Sequence, residues 1–140
     1  MPRVSTLLCF DFGLSNIGVA VGNTLTKEAR PLAVLGAQHG KPNWDKVGAL
    51  VNEWLPTAVI VGNPISEGGE STDLSAKAAR FARQLEGRFQ LRVELHDERY
   101  TSKEAKLRAK DAGHRGDYTT VPIDDLAAAI ILESYLASDT

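Results

Sequence analysis

Asp11 interrupts the apolar run from Leu7 to Phe12. The period-2 alternation of a strand puts it on the face of Leu7 and Cys9 and opposite Leu8, Phe10 and Phe12. A carboxylate in such a run is costly unless a cation, a metal ion or several hydrogen-bond donors accompany it. Gly13, two residues on, leaves room for close approach of a ligand backbone or a phosphate. The plainer role for Asp11 is a strand-end acceptor for the amides of the following turn, and Asp-x-Gly by itself does not separate the two. Glu98 belongs to His96-Asp97-Glu98-Arg99, which closes the strand pattern Leu91 to Leu95. Open α/β sheets place their sites at such carboxyl ends, although the same four residues suit a solvated loop. Asp124 precedes an apolar segment, where its ordinary task is an N-cap. Together, Asp11, Glu98 and Asp124 stand at the ends of three core elements and can converge on one divalent ion, or on two ions about 4 Å apart. All-oxygen donors select Mg²⁺ or Mn²⁺. That chemistry suits phosphodiester hydrolysis, in which metal charge neutralises the phosphate, acidifies the attacking water and stabilises the departing oxyanion.

The charge pattern favours a phosphate-bearing substrate. From Arg99 to Arg115 six cations (Arg99, Lys103, Lys106, Arg108, Lys110, Arg115) face only Glu104 and Asp111, which is 6 − 2 = +4 and leaves −6 for the rest of a chain whose net charge is −2. Lys103, Lys106 and Lys110 share one helix face, which with Arg99 forms a candidate phosphate-backbone surface; a merely solvated helix face is the competing account. Other chemistries find little support. His39, His96 and His114 lack metal-ligand spacing, and only His96 adjoins candidate chemistry. No serine stands in a Gly-x-Ser-x-Gly elbow, and Asp-Phe-Gly occurs without the other kinase motifs.

The elements that must position these groups follow from periodicity. Leu7 to Gly22 holds two β-rich runs around Gly13-Leu14-Ser15-Asn16, the pattern of a hairpin, and Arg30 to Leu35 supplies a third strand. Trp44, Val47, Leu50, Val51 and Trp54 have helical spacing, with Pro56 as the stop. Thr57 to Gly62 is almost wholly apolar and suits a central strand covered on both faces. After the loop Asn63 to Thr72, Leu74, Ala78, Phe81, Ala82 and Leu85 line a helix face, with Lys77, Arg80, Arg83 and Arg88 elsewhere on it. The strand Leu91 to Leu95 precedes a capping box at Thr101 to Glu104, whose helix runs to about Ala112. The last segment, from Asp125 to Leu136, is apolar nearly all round and reads as a buried helix. Strands in hairpins, followed by strands alternating with helices, make an α/β fold with a mixed sheet.

Composition bounds the function. The 140 residues fit a single domain, and 43% hydrophobic with 24% charged residues suffices for a real core. A net charge of −2 excludes binding of nucleic acid by bulk charge. One cysteine, Cys9, excludes an internal disulfide, a zinc finger and an iron–sulfur cluster, and fits a reducing, cytoplasmic setting. The early apolar run is too short, and too broken by Asp11, for a signal peptide or a membrane span.

The segments DFGLSNIGVAVG, IVGNPISEGGE, LHDERYTSKEA and IDDLAAAIILESYL, in this order and across nearly the whole chain, resemble the YqgF family, also known as RuvX. The family is associated with maturation of pre-16S rRNA and was earlier described as Holliday-junction-resolvase-like. The resemblance implies a ribonuclease-H-like fold, with a five-stranded mixed sheet flanked by helices. It implies that the three acidic positions of the family fall on Asp11, Glu98 and Asp124, with Asp125 the nearest rival for the third, because a shift of one residue in the helix start would swap their directions. It further implies an endonuclease using Mg²⁺ or Mn²⁺ that processes the 5′ end of precursor 16S rRNA in the bacterial cytoplasm. Precursor rRNA or a ribosomal particle would then be its partner, and the loop from Asn63 to Glu70 would border the cleft. Three positions depart from the family pattern: Asn16 replaces a frequent basic residue, Asn63 replaces a Leu before Pro64, and Val121-Pro122 stands where a Lys often precedes the last Asp. Fewer cations near the site bear on substrate contact, whereas the triad is intact. Two rival functions remain: a resolvase of branched DNA, which needs a homodimer for symmetric cutting where RNA cleavage can use a monomer, and a non-catalytic RNA-binding factor in ribosome assembly or transcription. An actin-like ATPase, whose phosphate hairpin also begins Asp-x-Gly, needs two such domains and does not fit 140 residues.

Overall fold

A computed structural model describes residues 5–63, 73–97 and 124–138. The sheet starts with β1 (Thr6–Asp11), β2 (Asn16–Asn23) and β3 (Ala29–Gln38), an antiparallel meander. A two-residue strand β4 (Lys41–Pro42) follows, then helix α1 (Trp44–Trp54), strand β5 (Ala58–Asn63), helix α2 (Asp73–Phe89), strand β6 (Arg92–Asp97) and helix α3 (Asp124–Ser138). The order across the sheet is β4-β3-β2-β1-β5-β6, with β1, β5 and β6 parallel.

The mixed sheet flanked by helices agrees with the sequence, but its strand number does not. Among the described residues the sheet has six strands rather than the five expected. The sixth is β4, which pairs Pro42 with Ala37 and Lys41 with Gln38 after a tight turn at His39 and Gly40. Both turn residues have positive φ, 52° and 81°, as a two-residue hairpin matched to strand twist requires. β3 also runs past the expected Arg30 to Leu35, and β6 extends through His96 and Asp97, whose backbones pair in register with Gly62 and Asn63.

Local chemistry fixes the helix ends. The Asn43 side chain caps α1 by accepting from the Asp45 amide at 2.9 Å. At the other end Leu55 takes a left-handed conformation and donates its amide to the Val51 carbonyl, with Pro56 next. Side-chain alternation then divides the core into two layers. Leu8, Phe10, Phe12, Val59 and Val61 face α1 and α2, packing with Val47, Ala78, Phe81 and Leu85. Leu7, Cys9, Ala58 and Ile60 face α3 and pack with Ile131, Leu132 and Leu136. Residues 58 to 61 are at most 5% exposed, as a strand covered on both faces must be. The segment from Ala127 to Leu132 is likewise buried without interruption, in line with its apolar sequence. No helix among the described residues is long and apolar enough to cross a membrane.

Candidate active site

Asp11 ends β1 and is half-buried. By strand alternation it continues the Leu7 and Cys9 face, the face covered by α3. The loop that follows, residues 12–15, has little freedom. A Cβ at Gly13 would collide with the Asn16 carbonyl oxygen, so a glycine is required where the chain doubles back. The loop is tied to the β3–β4 hairpin by two backbone bonds, Ala37 N to Ser15 O at 2.8 Å and Gly40 N to Leu14 O at 2.9 Å.

The parallel strands set a common edge. Phe10 pairs with Val61 and Val61 with Leu95, so Asp11, Gly62 and His96 fall on one level. Gly62 belongs to the α3 face, because Ala58 and Ile60 do. Between the side chains of β1 and β6, strands roughly 9.6 Å apart with β5 between them, there is therefore a residue with no side chain. This gap was not foreseen from the sequence. Its only linear signal is the glycine that ends the apolar run AVIVG.

Helix α3 closes the edge from one side. Leu132 covers Gly22, where an added Cβ would lie 3.0 Å from the Leu132 Cδ2, and Gly22 pairs with Leu7. Ala128 and Ala129 pack on Ala20, which pairs with Cys9. Two residues along a strand and four along a helix each cover about 6 to 7 Å. α3 therefore runs antiparallel to β1, and its first turn, starting at Asp124 and Asp125, lies toward the Asp11 end. Small residues on both sides (Ala20, Gly22, Ala128, Ala129) allow the close approach.

The C-terminal half of α3 is clamped to β6. The Tyr135 hydroxyl donates to the Glu94 carboxylate, Arg92 lies 3.2 Å from the same oxygen, and His96 Nε2 is 3.1 Å from Ser134 Oγ. The His96 and Tyr135 rings meet edge to face at 5.7 Å. The Tyr135 hydrogen bond, with a smaller contribution from Arg92, holds the Glu94 carboxyl below its ordinary pKa against the opposing effect of burial. Burial first, and the bond to Glu94 second, raise the Tyr135 phenol. Because the folded Glu94 value is lowered, this clamp stabilises the fold above the ordinary Glu pKa of about 4.3 and is lost as pH falls through the lowered value. Tyr135→Phe is accordingly expected to cost about 0.5–1 kcal/mol near neutral pH, a discounted figure because Glu94 is half open to solvent. Urea unfolding at pH 7 and again at about pH 3 checks this: the difference from wild type should shrink in acid.

Of the expected site residues, Asp11 ends β1 and Asp124 begins α3, with Asp125 second in that helix. The side chains of Asp124 and Asp125 lie outside the described set, as do Glu98, Arg99, Lys103, Lys106 and Lys110 altogether. Glu98 follows directly on Asp97, the last residue of β6. Among the described residues alone, no three His, Cys, Asp or Glu side chains group as metal ligands.

The fold occurs in known proteins. The structure resembles Thermus thermophilus RuvC in complex with a Holliday junction substrate, with a TM-score of 0.55 and 17% identity over 96% of this chain and 94% of that one. Fowlpox virus resolvase with Holliday junction DNA gives a TM-score of 0.56 at 14% identity, covering 95% and 97%. The fold is thus the ribonuclease-H-like fold of these resolvases. In sequence, the chain is 50% identical over 136 residues to a protein of Azotobacter vinelandii named "Putative pre-16S rRNA nuclease", covering 97% of this chain and 94% of the relative. It is 46% identical over 141 residues to a Pseudomonas putida protein of the same name, covering both completely. The family described as "RuvX: Holliday junction resolvase" matches residues 5–138, from the first residue of the described chain to the last turn of α3. With that span and those identities, this chain belongs to the RuvX family.

Proposed function

We propose that this protein is a metal-dependent endonuclease, a single ribonuclease-H-like domain over residues 1–140, that processes the 5′ end of precursor 16S rRNA in the bacterial cytoplasm. The observation that carries the proposal is the approach of the α3 start to the Asp11 end of β1, on the face where Gly62 presents no side chain between β1 and β6. Asp11, Glu98 and Asp124 are the ligands. Three carboxylates at one edge would hold a hard divalent cation such as Mg²⁺ or Mn²⁺, which prefers all-oxygen donors. A bound Mg²⁺ or Mn²⁺ would supply charge neutralisation at the scissile phosphate and a more acidic water.

The chain's own part is positioning. Gly13 lets the chain double back tightly after Asp11, its missing side chain making room for the Asn16 carbonyl rather than for a ligand as the sequence suggested. The small-residue seam under α3 and the Tyr135–Glu94 clamp hold the helix that carries Asp124. Arg99 and the Lys103, Lys106, Lys110 face bind the phosphate backbone.

A junction resolvase is the second reading, favoured by the family description and by resolvases among the fold relatives. Two-metal hydrolysis does not depend on the sugar. Side-by-side assays of precursor 16S rRNA and four-way DNA junctions, with Mg²⁺ and with EDTA, separate the readings. Mg²⁺-dependent shortening of the rRNA 5′ end is expected. Symmetric junction cutting by a dimer without rRNA cleavage would make the protein a resolvase. RNA binding that persists in EDTA, with no cleavage at any metal concentration, would make it a non-catalytic RNA-binding factor.

A further inference from the structure

Beside the loop that follows Asp11, on the opposite face of the sheet from α3, the β3–β4 turn and helix α2 enclose a cleft of about 80 Å³. His39 and Lys41 line it from the turn, Lys77, Arg80 and Gln84 from the helix, and Phe12 from below; among the described residues the lining contains no carboxylate. All four basic side chains are exposed, and among the described residues none is in an ion pair. Lys77, Arg80 and Gln84 follow one another at helical spacing, and Arg88 continues the same face with its guanidinium 4.3 Å over the Trp44 ring. The cations therefore form a stripe along α2 that ends at the turn.

The position of that turn is fixed by packing. Gly40 has φ +81°, and a Cβ there would lie 2.7 Å from the Phe12 Cζ, so the hairpin rests on the ring of the residue next to Asp11. Phe12 in turn lies on Phe81, at 5.3 Å between centroids, between the cleft-lining Lys77, Arg80 and Gln84 of α2. Cations without a carboxylate partner among the described residues, carried on a turn and a helix whose backbones are packed together, with an amide donor among them, suit phosphate oxygens on successive nucleotides and carry no base information.

On the nuclease reading above, we infer that this cleft is a phosphate-backbone subsite for the single strand that leaves the scissile position across the edge of the sheet. It is distinct in sequence from the Arg99 to Lys110 segment. Its cations come from two segments some forty residues apart.

The test uses full-length protein carrying Asp11→Asn, so that RNA is held without being cut, and a fluorescent single-stranded RNA covering the 5′ end of precursor 16S rRNA. Lys41→Gln, Lys77→Gln and Arg80→Gln together remove three cleft cations. Lys27→Gln, Lys46→Gln and Arg83→Gln together remove three exposed cations elsewhere. Anisotropy titrations over a range of NaCl should show the cleft variant binding at least ~10-fold more weakly, with a salt slope shallower by about 2, at roughly 0.7 per single-strand phosphate contact. The control should lose less than about threefold, as expected for long-range screening alone. Equal losses in the two variants overturn the subsite while leaving the nuclease reading intact, provided that the unsubstituted protein cleaves the rRNA. Failure of the Asp11→Asn parent to bind RNA, with no cleavage by the unsubstituted protein, overturns both.

Discussion

Asp11→Asn is expected to lower Mg²⁺-dependent cleavage by at least ~10³-fold, or about 4 kcal/mol of transition-state stabilisation. The two side chains have nearly the same shape, so the substitution removes charge and little else. Leu8, Cys9 and Phe10 around it are fully buried and keep β1 in place through its pairing with β2 and β5. Thermal unfolding should therefore stay within a few degrees of wild type, about 1 kcal/mol or less for a domain of this size. The pairing of lost turnover with kept stability identifies a ligand rather than a structural residue. Single-turnover cleavage of precursor rRNA measured beside a melting curve gives both numbers, and a variant that cuts as fast as wild type would show that the triad is misassigned.

Phe81→Ala is expected to have the largest effect on stability, about 3–5 kcal/mol. Phe81 is 1% exposed and touches three rings: Phe10 edge-on at 5.7 Å, Phe12 at 5.3 Å and Trp44 stacked at 5.6 Å. Its removal leaves a cavity bounded by β1, α1 and α2, and β1 cannot close in because it is central in the sheet. The effect also reaches the site, since Phe12 rests on Phe81 and follows Asp11 directly. Urea unfolding should show a lower midpoint at unchanged slope. A loss below about 1.5 kcal/mol would mean that the cluster relaxes and does not stiffen this edge.

Much of this architecture is legible in the sequence because it rests on periodicity. The alternation around Asp11 places it on the Leu7 and Cys9 face. TAVIVG reads as a doubly covered strand, and Pro56 as the end of α1. β4 is not legible: two residues, one of them proline, become a strand only because the His39–Gly40 turn folds them onto β3. Nor does His96-Asp97 look like strand, since parallel pairing to Gly62 and Asn63 overrides its polarity.

The site divides in the same way. Its residue types can be read along the chain, but the gap at Gly62 and the antiparallel run of α3 over β1 depend on which strands become neighbours. The basic cleft is the extreme case. His39 reads as a lone surface histidine, and Lys77 and Arg80 as the solvated side of an amphipathic helix. Only the packing of Phe12 against both Gly40 and Phe81 brings them together.

Metal binding tests the central claim most directly. Mn²⁺ titrations followed by electron paramagnetic resonance can be run on the wild type and on Asp11→Asn, Glu98→Gln, Asp124→Asn and Asp125→Asn, without substrate. The account predicts that the wild type binds Mn²⁺, that each of the first three variants binds at least ~10-fold more weakly, and that Asp125→Asn stays close to wild type. Equal Mn²⁺ affinity in the wild type and the three triad variants would contradict it.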